Sequence, residues 1–206
     1  MQIKKPNNKV RQALKAIEEY KLVFLYGSIR SSKTFWSTLK FLKIGLSTPD
    51  CDCLICGNSK STIFKNIVGL ITDFTGKELK YRMHGDYFVL DIPPFSKKGK
   101  DGNIKHYYGW RNKRIFIRGG SKAGDDAGVK GMTIGLMLVD EGTELTEDFL
   151  NMAFSRLSAP YSKCILTTNP DAPENIIRTN FILKEEFLNT HQKQEDGSWV
   201  KLRKPI

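Results

Sequence analysis

Gly27-Ser28-Ile29-Arg30-Ser31-Ser32-Lys33-Thr34 follows directly on the apolar run Leu22-Val23-Phe24-Leu25-Tyr26. The two stretches read as a short buried strand, a tight turn and the opening of a helix. The eight residues fit the phosphate-cradling pattern G-x-x-x-x-G-K-[ST], except that Ser32 stands at the second glycine. The first N–H groups of a helix have no partner inside the helix and point at an anion. Gly27, Ser28, Ile29, Arg30, Ser31 and Ser32 would wrap a phosphate chain, Lys33 would reach its β- and γ-phosphates, and the Thr34 hydroxyl would ligate Mg²⁺. Glycine tolerates positive φ, whereas serine adopts it only at some cost. The lysine and threonine that touch the ligand are intact.

Upstream of the loop, Val10, Ala13, Leu14 and Ile17 are spaced for one face of a helix over residues 9–20. Downstream, Phe35, Leu39, Leu42 and Leu46 give a helix over 33–46 a face that can lie on a sheet. A strand is predicted at 52–56. A helix capped by Ser59 or Ser61 follows it, carries Ile63, Ile67 and Leu70, and ends by Gly76. Tyr87–Ile92 and Arg114–Arg118 read as strands separated by Pro93-Pro94 and a polar, basic stretch. A nearly all-apolar strand lies at 135–140, a helix capped by Thr146 runs over 146–157, and Cys164-Ile165-Leu166-Thr167 forms another strand. Alternating strands and helices predict an α/β fold whose mainly parallel sheet is covered on both faces. The tail beyond about 185 is polar and weakly patterned, like a linker.

Leu136-Met137-Leu138-Val139-Asp140-Glu141 is the second motif. Four apolar residues followed by two acids describe a buried strand that delivers carboxylates at its C-terminal edge, where open α/β sheets bind ligands. Asp140 can hold Mg²⁺, which prefers oxygen donors. Glu141 can orient and deprotonate an attacking water. About a hundred residues after a phosphate loop, this pair completes the pattern of a P-loop NTPase. Thr167-Thr168-Asn169-Pro170 ends the next apolar strand, where Thr167, Thr168 and Asn169 can sense a γ-phosphate through hydrogen bonds; the plainer reading is a strand end with a turn.

Three blocks together resemble the N-terminal ATPase domain of the large terminase subunit, the DNA-packaging motor of tailed bacteriophages. They are Tyr26–Thr34, Val129-Lys130-Gly131-Met132-Thr133 and Leu138-Val139-Asp140-Glu141-Gly142-Thr143. Phe154-Ser155-Arg156-Leu157-Ser158 and Thr167–Asp171 match in order, and the resemblance covers roughly residues 7–185. Ser32 replaces a glycine and Gly142 an alanine common in that family, and neither change removes a chemical group.

The resemblance implies a P-loop fold of the additional-strand type, with ATP and Mg²⁺ as cofactors. It implies phosphate binding by Lys33, Mg²⁺ ligation by Thr34 and Asp140, and Glu141 as general base. Thr168 and Asn169 would couple hydrolysis to movement. Arg30 would either act on the transferring phosphoryl group or brace the loop. Terminases assemble as rings on the portal protein, work with a small terminase subunit, and act on double-stranded DNA in the host cytoplasm. A neighbouring copy can supply an arginine in trans, with Arg118, Arg156 and Lys130 as candidates here. The family's nuclease domain lies C-terminal to the ATPase. Nothing after Asp171 supplies its acidic cluster, so residues 1–185 read as the motor and 186–206 as a tail leading toward a nuclease half. Another P-loop translocase, such as a helicase, and a DNA-binding module with a loop that no longer hydrolyses are the competing readings.

The 206-residue chain carries 33 lysines and arginines against 22 acids, a net charge of +11 that points to polyanionic partners. The run Lys97-Lys98-Gly99-Lys100, then Lys105-His106-Tyr107-Tyr108, Trp110-Arg111 and Lys113-Arg114, interleaves basic and aromatic residues. It reads either as a DNA contact or as a solvated hairpin with an aromatic base. No apolar run approaches the roughly 20 residues of a membrane span, and Met1–Val10 lacks the apolar core of a signal peptide. Cys51, Cys53 and Cys56 sit on one apolar stretch and Cys164 on another, which suits small buried hydrophobes better than a disulfide framework or a metal cluster.

Overall fold

The computed structural model describes residues 5–28, 31–169, 175–182, 191–193 and 199–201. It comprises two compact units, Met1–Asn169 and Pro170–Ile206.

In the first unit, α1 (Asn8–Glu19) starts where the Asn7 side chain accepts a hydrogen bond from the Val10 N–H, and its apolar face buries Ile17. The chain then forms β1 (Leu22–Tyr26), α2 (Lys33–Ser47) and β2 (Asp52–Gly57). Cys53, Leu54, Ile55 and Cys56 are all fully buried, as expected of a strand covered on both faces. Ser59 caps α3 (Lys60–Ile63), which runs through a π-helical turn, Phe64–Val68, into α4 (Gly69–Thr75). Gly76, at φ 65°, ends that helix in the left-handed region, the glycine-favouring stop.

Next come β3 (Leu79–Arg82), β4 (Tyr87–Leu90), β5 (Phe95–Lys98), β6 (Ile104–Tyr107) and β7 (Arg114–Gly119). A 3₁₀ turn, Asp125–Val129, precedes β8 (Ile134–Val139), which is buried at every position. After a second 3₁₀ turn, Gly142–Glu144, the Thr146 hydroxyl caps α5 (Glu147–Ser155), and β9 (Lys163–Thr168) closes the unit.

Seven strands form one sheet in the order β1-β9-β8-β2-β7-β4-β3. The first five are mutually parallel, and β4 and β3 add antiparallel at the far edge. The strand that leads into the Gly27–Thr34 loop is therefore separated from the strand that ends at Asp140 by β9, which is the additional-strand arrangement. The mainly parallel α/β fold is as expected. Three features differ from the sequence reading. Strand β3 alternates Leu79 and Tyr81 with Lys80 and Arg82 over only four residues on an exposed edge, and the four-residue strands of the β5–β6 ribbon are almost wholly exposed, so neither stands out from the sequence as a buried strand does. The helix expected to reach residue 157 stops at Ser155, capped by Arg156, whose N–H turns back to the Ala153 and Phe154 carbonyls.

In the second unit, a π-helical turn spans Ile177–Ile182, and β10 (His191–Lys193) pairs antiparallel with β11 (Trp199–Lys201). Part of the tail read as an unpatterned linker is thus paired. Three-residue strands are too short to leave a period in the sequence.

Trp110 is fully buried beside Phe41, at 5.3 Å between ring centroids, and its indole N–H donates to the Leu42 carbonyl at 3.0 Å. Its ring lies where a Cβ on Gly45 of α2 would be, 2.0 Å away. Glycine to alanine inside a helix ordinarily stabilises by about 1 kcal/mol. Gly45→Ala should instead destabilise by about 1–3 kcal/mol through overpacking, seen as a lower melting temperature; a higher one would contradict this packing.

Candidate nucleotide site

The parallel register explains how distant residues meet. Tyr26 lies opposite Thr168 and Val139 opposite Leu166, so one step past each strand brings Gly27 beside Asn169 and Asp140 beside Thr167. All lie at the carboxyl edge of the sheet, where α2 also begins.

Asp140 is the convergence point. Its side chain is 3% exposed. One carboxylate oxygen accepts from the Thr34 hydroxyl and from the Thr167 hydroxyl, each at 2.8 Å, and the other accepts from the Asn66 amide at 3.3 Å. Thr167 in turn accepts from the Glu141 backbone N–H at 3.2 Å. Glu141 is held in the left-handed region at φ 52°, ψ 55°, and its half-buried side chain borders the cleft beside Lys33 and Thr34. Burial raises the Glu141 carboxyl above the usual carboxylate range; Asp140 and Glu144 push it further up and Lys33 pulls it down.

Lys33 folds back into its own loop. Its ammonium donates to the carbonyls of Gly27 (2.9 Å) and Ser28 (2.8 Å), to the Ser31 hydroxyl (3.1 Å) and to the Asn169 side-chain oxygen (2.9 Å). Burial lowers its pKa, and the nearby Asp140 and Glu141 carboxylates oppose that shift. Thr168 is buried, and its hydroxyl meets the Asn169 carbonyl rather than the loop. Ile29 and Arg30 lie outside the described residues, so Arg30's two readings rest on the sequence alone.

Ser32 occupies the left-handed region at φ 60°, ψ 23°, the conformation that a glycine at this place would adopt without strain. Its side chain makes no capping hydrogen bond, whereas Asn7, Ser59 and Thr146 cap α1, α3 and α5. The N-terminal amides of α2 are therefore left for an anion. A cleft of about 190 Å³ opens between Ser32, Lys33, Thr34, Glu141, Thr168 and Asn169. A second, of about 440 Å³, adjoins the loop between Asn7, Val10, Leu14, Tyr26 and Trp36. The first presents a cation, a helix N-terminus and the Glu141 carboxylate, and the second adds the Leu14, Tyr26 and Trp36 side chains beside the loop; together they can accommodate a phosphate chain joined to a flat apolar group.

The three candidate trans-acting residues line neither cleft. Arg118 is engaged within the chain: its guanidinium pairs with Asp86 at 2.9 Å, donates to the Gly128 carbonyl at 3.1 Å and lies over the Phe116 ring. The Arg156 carbonyl accepts from the N–H of Ile134, at the start of β8, so this residue sits at the sheet edge opposite the clefts. Lys130 is exposed. Asn66 belongs to none of the sequence motifs. The signal that could have found it is a polar residue in the helix that follows a buried strand to the carboxyl edge, and the π-helical turn around it is the kind of irregularity that recurs at functional sites.

The large terminase of a thermophilic bacteriophage superposes on 87% of this chain with a TM-score of 0.68 at 17% identity. The fold is that of a large-terminase ATPase domain. The same thermophilic phage protein has been solved with ADP, at TM-score 0.68 and 18% identity, and with ATP-γ-S, at 0.66 and 18%. The bacteriophage HK97 large terminase matches 90% of the chain with a TM-score of 0.56 at 11% identity. The chain spans 43% of the thermophilic phage structure and 38% of the HK97 one. No protein-family model and no curated protein matches the sequence. Among the described residues, no helix is long and apolar enough to cross a membrane and no group of three or more His, Cys, Asp or Glu is arranged to hold a metal.

A non-glycine residue in the left-handed region costs about 1–2 kcal/mol. Ser32→Gly should therefore stabilise the chain by about 1 kcal/mol and raise the melting temperature by about 2–4 °C. An unchanged or lower melting temperature would show that Ser32 is not strained.

Proposed function

We propose that this chain is the motor domain of a large terminase, hydrolysing ATP with Mg²⁺ to drive double-stranded DNA into a viral procapsid. The observation that carries the reading is the meeting of Lys33, Thr34 and Glu141 at one cleft on the carboxyl edge, with the buried Asp140 hydrogen-bonded to Thr34 although 106 residues separate the two.

The phosphate chain would lie across the α2 N-terminus with Lys33 leaving its loop carbonyls for the β- and γ-phosphates, and the base would occupy the cleft beside Trp36. The Thr34 hydroxyl and the Asp140 carboxylate form a hard, all-oxygen donor set that suits Mg²⁺. Bound there, the ion would neutralise charge on the phosphates. Glu141 would take a proton from a water whose oxygen bonds to the γ-phosphorus as the bond to the bridging oxygen breaks, leaving ADP and phosphate. A carboxyl raised by burial is a better base than an ordinary glutamate because its pKa lies closer to neutral pH. Asn169, bonded to Lys33 at 2.9 Å, would report the nucleotide's state to β9. In the same reading, residues 1–185 are the ATPase domain and 186–206 lead toward a nuclease half. The working assembly is a ring on the portal in the host cytoplasm, with a small terminase subunit as partner and an arginine or Lys130 donated between copies.

ATP turnover with Mg²⁺, measured across protein concentrations and with duplex DNA, tests the proposal. Lys33→Ala should weaken ATP binding and cut turnover by on the order of 10²–10³; unchanged affinity would remove the loop from the phosphate site. The pH profile of turnover gives an independent check. Glu141 works ionised, so activity should rise with pH through its raised pKa. Glu144→Gln removes a negative charge that raises that pKa, and the acid limb should move to lower pH. No shift, or an upward one, would detach Glu141 from the rate.

A further inference from the structure

The ribbon β5–β6 is built differently from the rest of the first unit. Every residue of β5, and Ile104, Lys105 and His106 of β6, is exposed. Its register puts Phe95 opposite Tyr107, with the rings stacked at 4.7 Å, and Lys97 directly opposite Lys105. Like charges facing each other across a ladder are destabilising, and a two-stranded ribbon is marginal to begin with. Among the described residues no acid pairs with Lys97, Lys98, Lys100 or Lys105. The one acid in the ribbon's own sequence, Asp101, is occupied by the N–H and side-chain amide of Asn103 in the turn. Other basic residues of this region are spent inside the chain. Lys113 is buried against the Gly109 carbonyl, Arg111 pairs with Asp91, and Arg114 forms a two-point pair with Asp52.

The ribbon's root is anchored to α2. The N–H groups of Tyr108 and Gly109 donate to the Leu46 carbonyl at 2.8 and 3.3 Å, and Trp110 reaches the Leu42 carbonyl and packs on Gly45. Lys33 and Thr34 open the same helix, whose 15 residues span about 22 Å.

We propose that the β5–β6 ribbon grips the backbone of duplex DNA through Lys97, Lys98, Lys100 and Lys105, mounted on the far end of the helix that bears Lys33 and Thr34. The identity of the polymer rests on the motor reading above. Phe95 and Tyr107 stack on each other, so they stiffen the ribbon rather than stand apart as platforms for unpaired bases. Lysines are compact point charges without arginine's planar two-point fork. They suit phosphates, which present one charge per about 1.7 Å of duplex axis regardless of sequence. A load held there lies on one rigid element with the phosphate loop.

The test is duplex binding by the full chain, read as anisotropy of a labelled random-sequence duplex without nucleotide, from about 50 to 200 mM salt. Combining Lys97→Ser, Lys98→Ser, Lys100→Ser and Lys105→Ser should lower the slope of log affinity against log salt by about three to four. Affinity should fall at least about tenfold, with basal ATP turnover unchanged. Arginine at the same four positions should keep the wild-type slope, a result that holds even where the serine variant folds poorly. An unaltered slope in the serine variant would overturn the proposal. So would loss of binding to poly-glutamate but not to duplex, which would mark an acidic protein as the partner. A chain that binds duplex as described but hydrolyses no ATP would overturn the motor reading alone.

Discussion

The buried carboxylate of Asp140 is the constraint on which the rest of the site depends. A charge almost out of water is tolerable only when donors surround it, and Asp140 draws these from three separate elements. Thr34 comes from the start of α2, Thr167 from the end of β9 and Asn66 from the π-helical turn between α3 and α4. Each bond ties a different element of the fold to the carboxyl edge of β8. Removing one donor leaves the others to hold a partly unsatisfied charge, so the four side chains behave as a unit. The strand order makes this possible: only with β9 inserted between β1 and β8 can the Thr167 hydroxyl reach Asp140 while Asn169 reaches Lys33.

Backbone strain gathers around the same cleft. Ser32 and Glu141 are two of the three non-glycine residues with positive φ among the described residues, and both border it. Strain persists where surrounding contacts over-determine it. At Ser32 it lets the chain turn so that the α2 amides face the cleft, and at Glu141 it directs the carboxylate there, with Thr167 holding the backbone N–H. The same bonds that satisfy Asp140 thus support the conformation of its neighbour.

Much of this was legible in the sequence because the signals are local. A short apolar strand followed by a glycine turn and Lys33-Thr34 specifies β1, the loop and α2 within one stretch. The apolar run ending in Asp140-Glu141 specifies β8 and its edge. The cost of serine at position 32 is visible as a departure from a pattern that exists for conformational reasons. What stayed hidden is tertiary. Asn66 matters only because a π-helical turn brings its amide to a strand far away in sequence. Arg118 reads as an available cation until Asp86, 32 residues earlier, is seen to hold it. The basic and aromatic stretch from 97 to 114 looked uniform, yet folding divides it. Trp110, Lys113 and Arg114 are absorbed by packing and ion pairs, while the four lysines from 97 to 105 face solvent.

The central claim is that Glu141, positioned through Thr167 and Asp140, acts on water attacking a nucleotide held by Lys33. Glu141→Gln keeps the side chain's shape and removes its basicity, so it separates holding the nucleotide from hydrolysing it. ATP affinity by calorimetry and single-turnover hydrolysis with Mg²⁺ should be measured on the same preparation. The account predicts affinity within a few-fold of wild type and hydrolysis slower by about 10²-fold or more. Hydrolysis at the wild-type rate, with affinity intact, would contradict it.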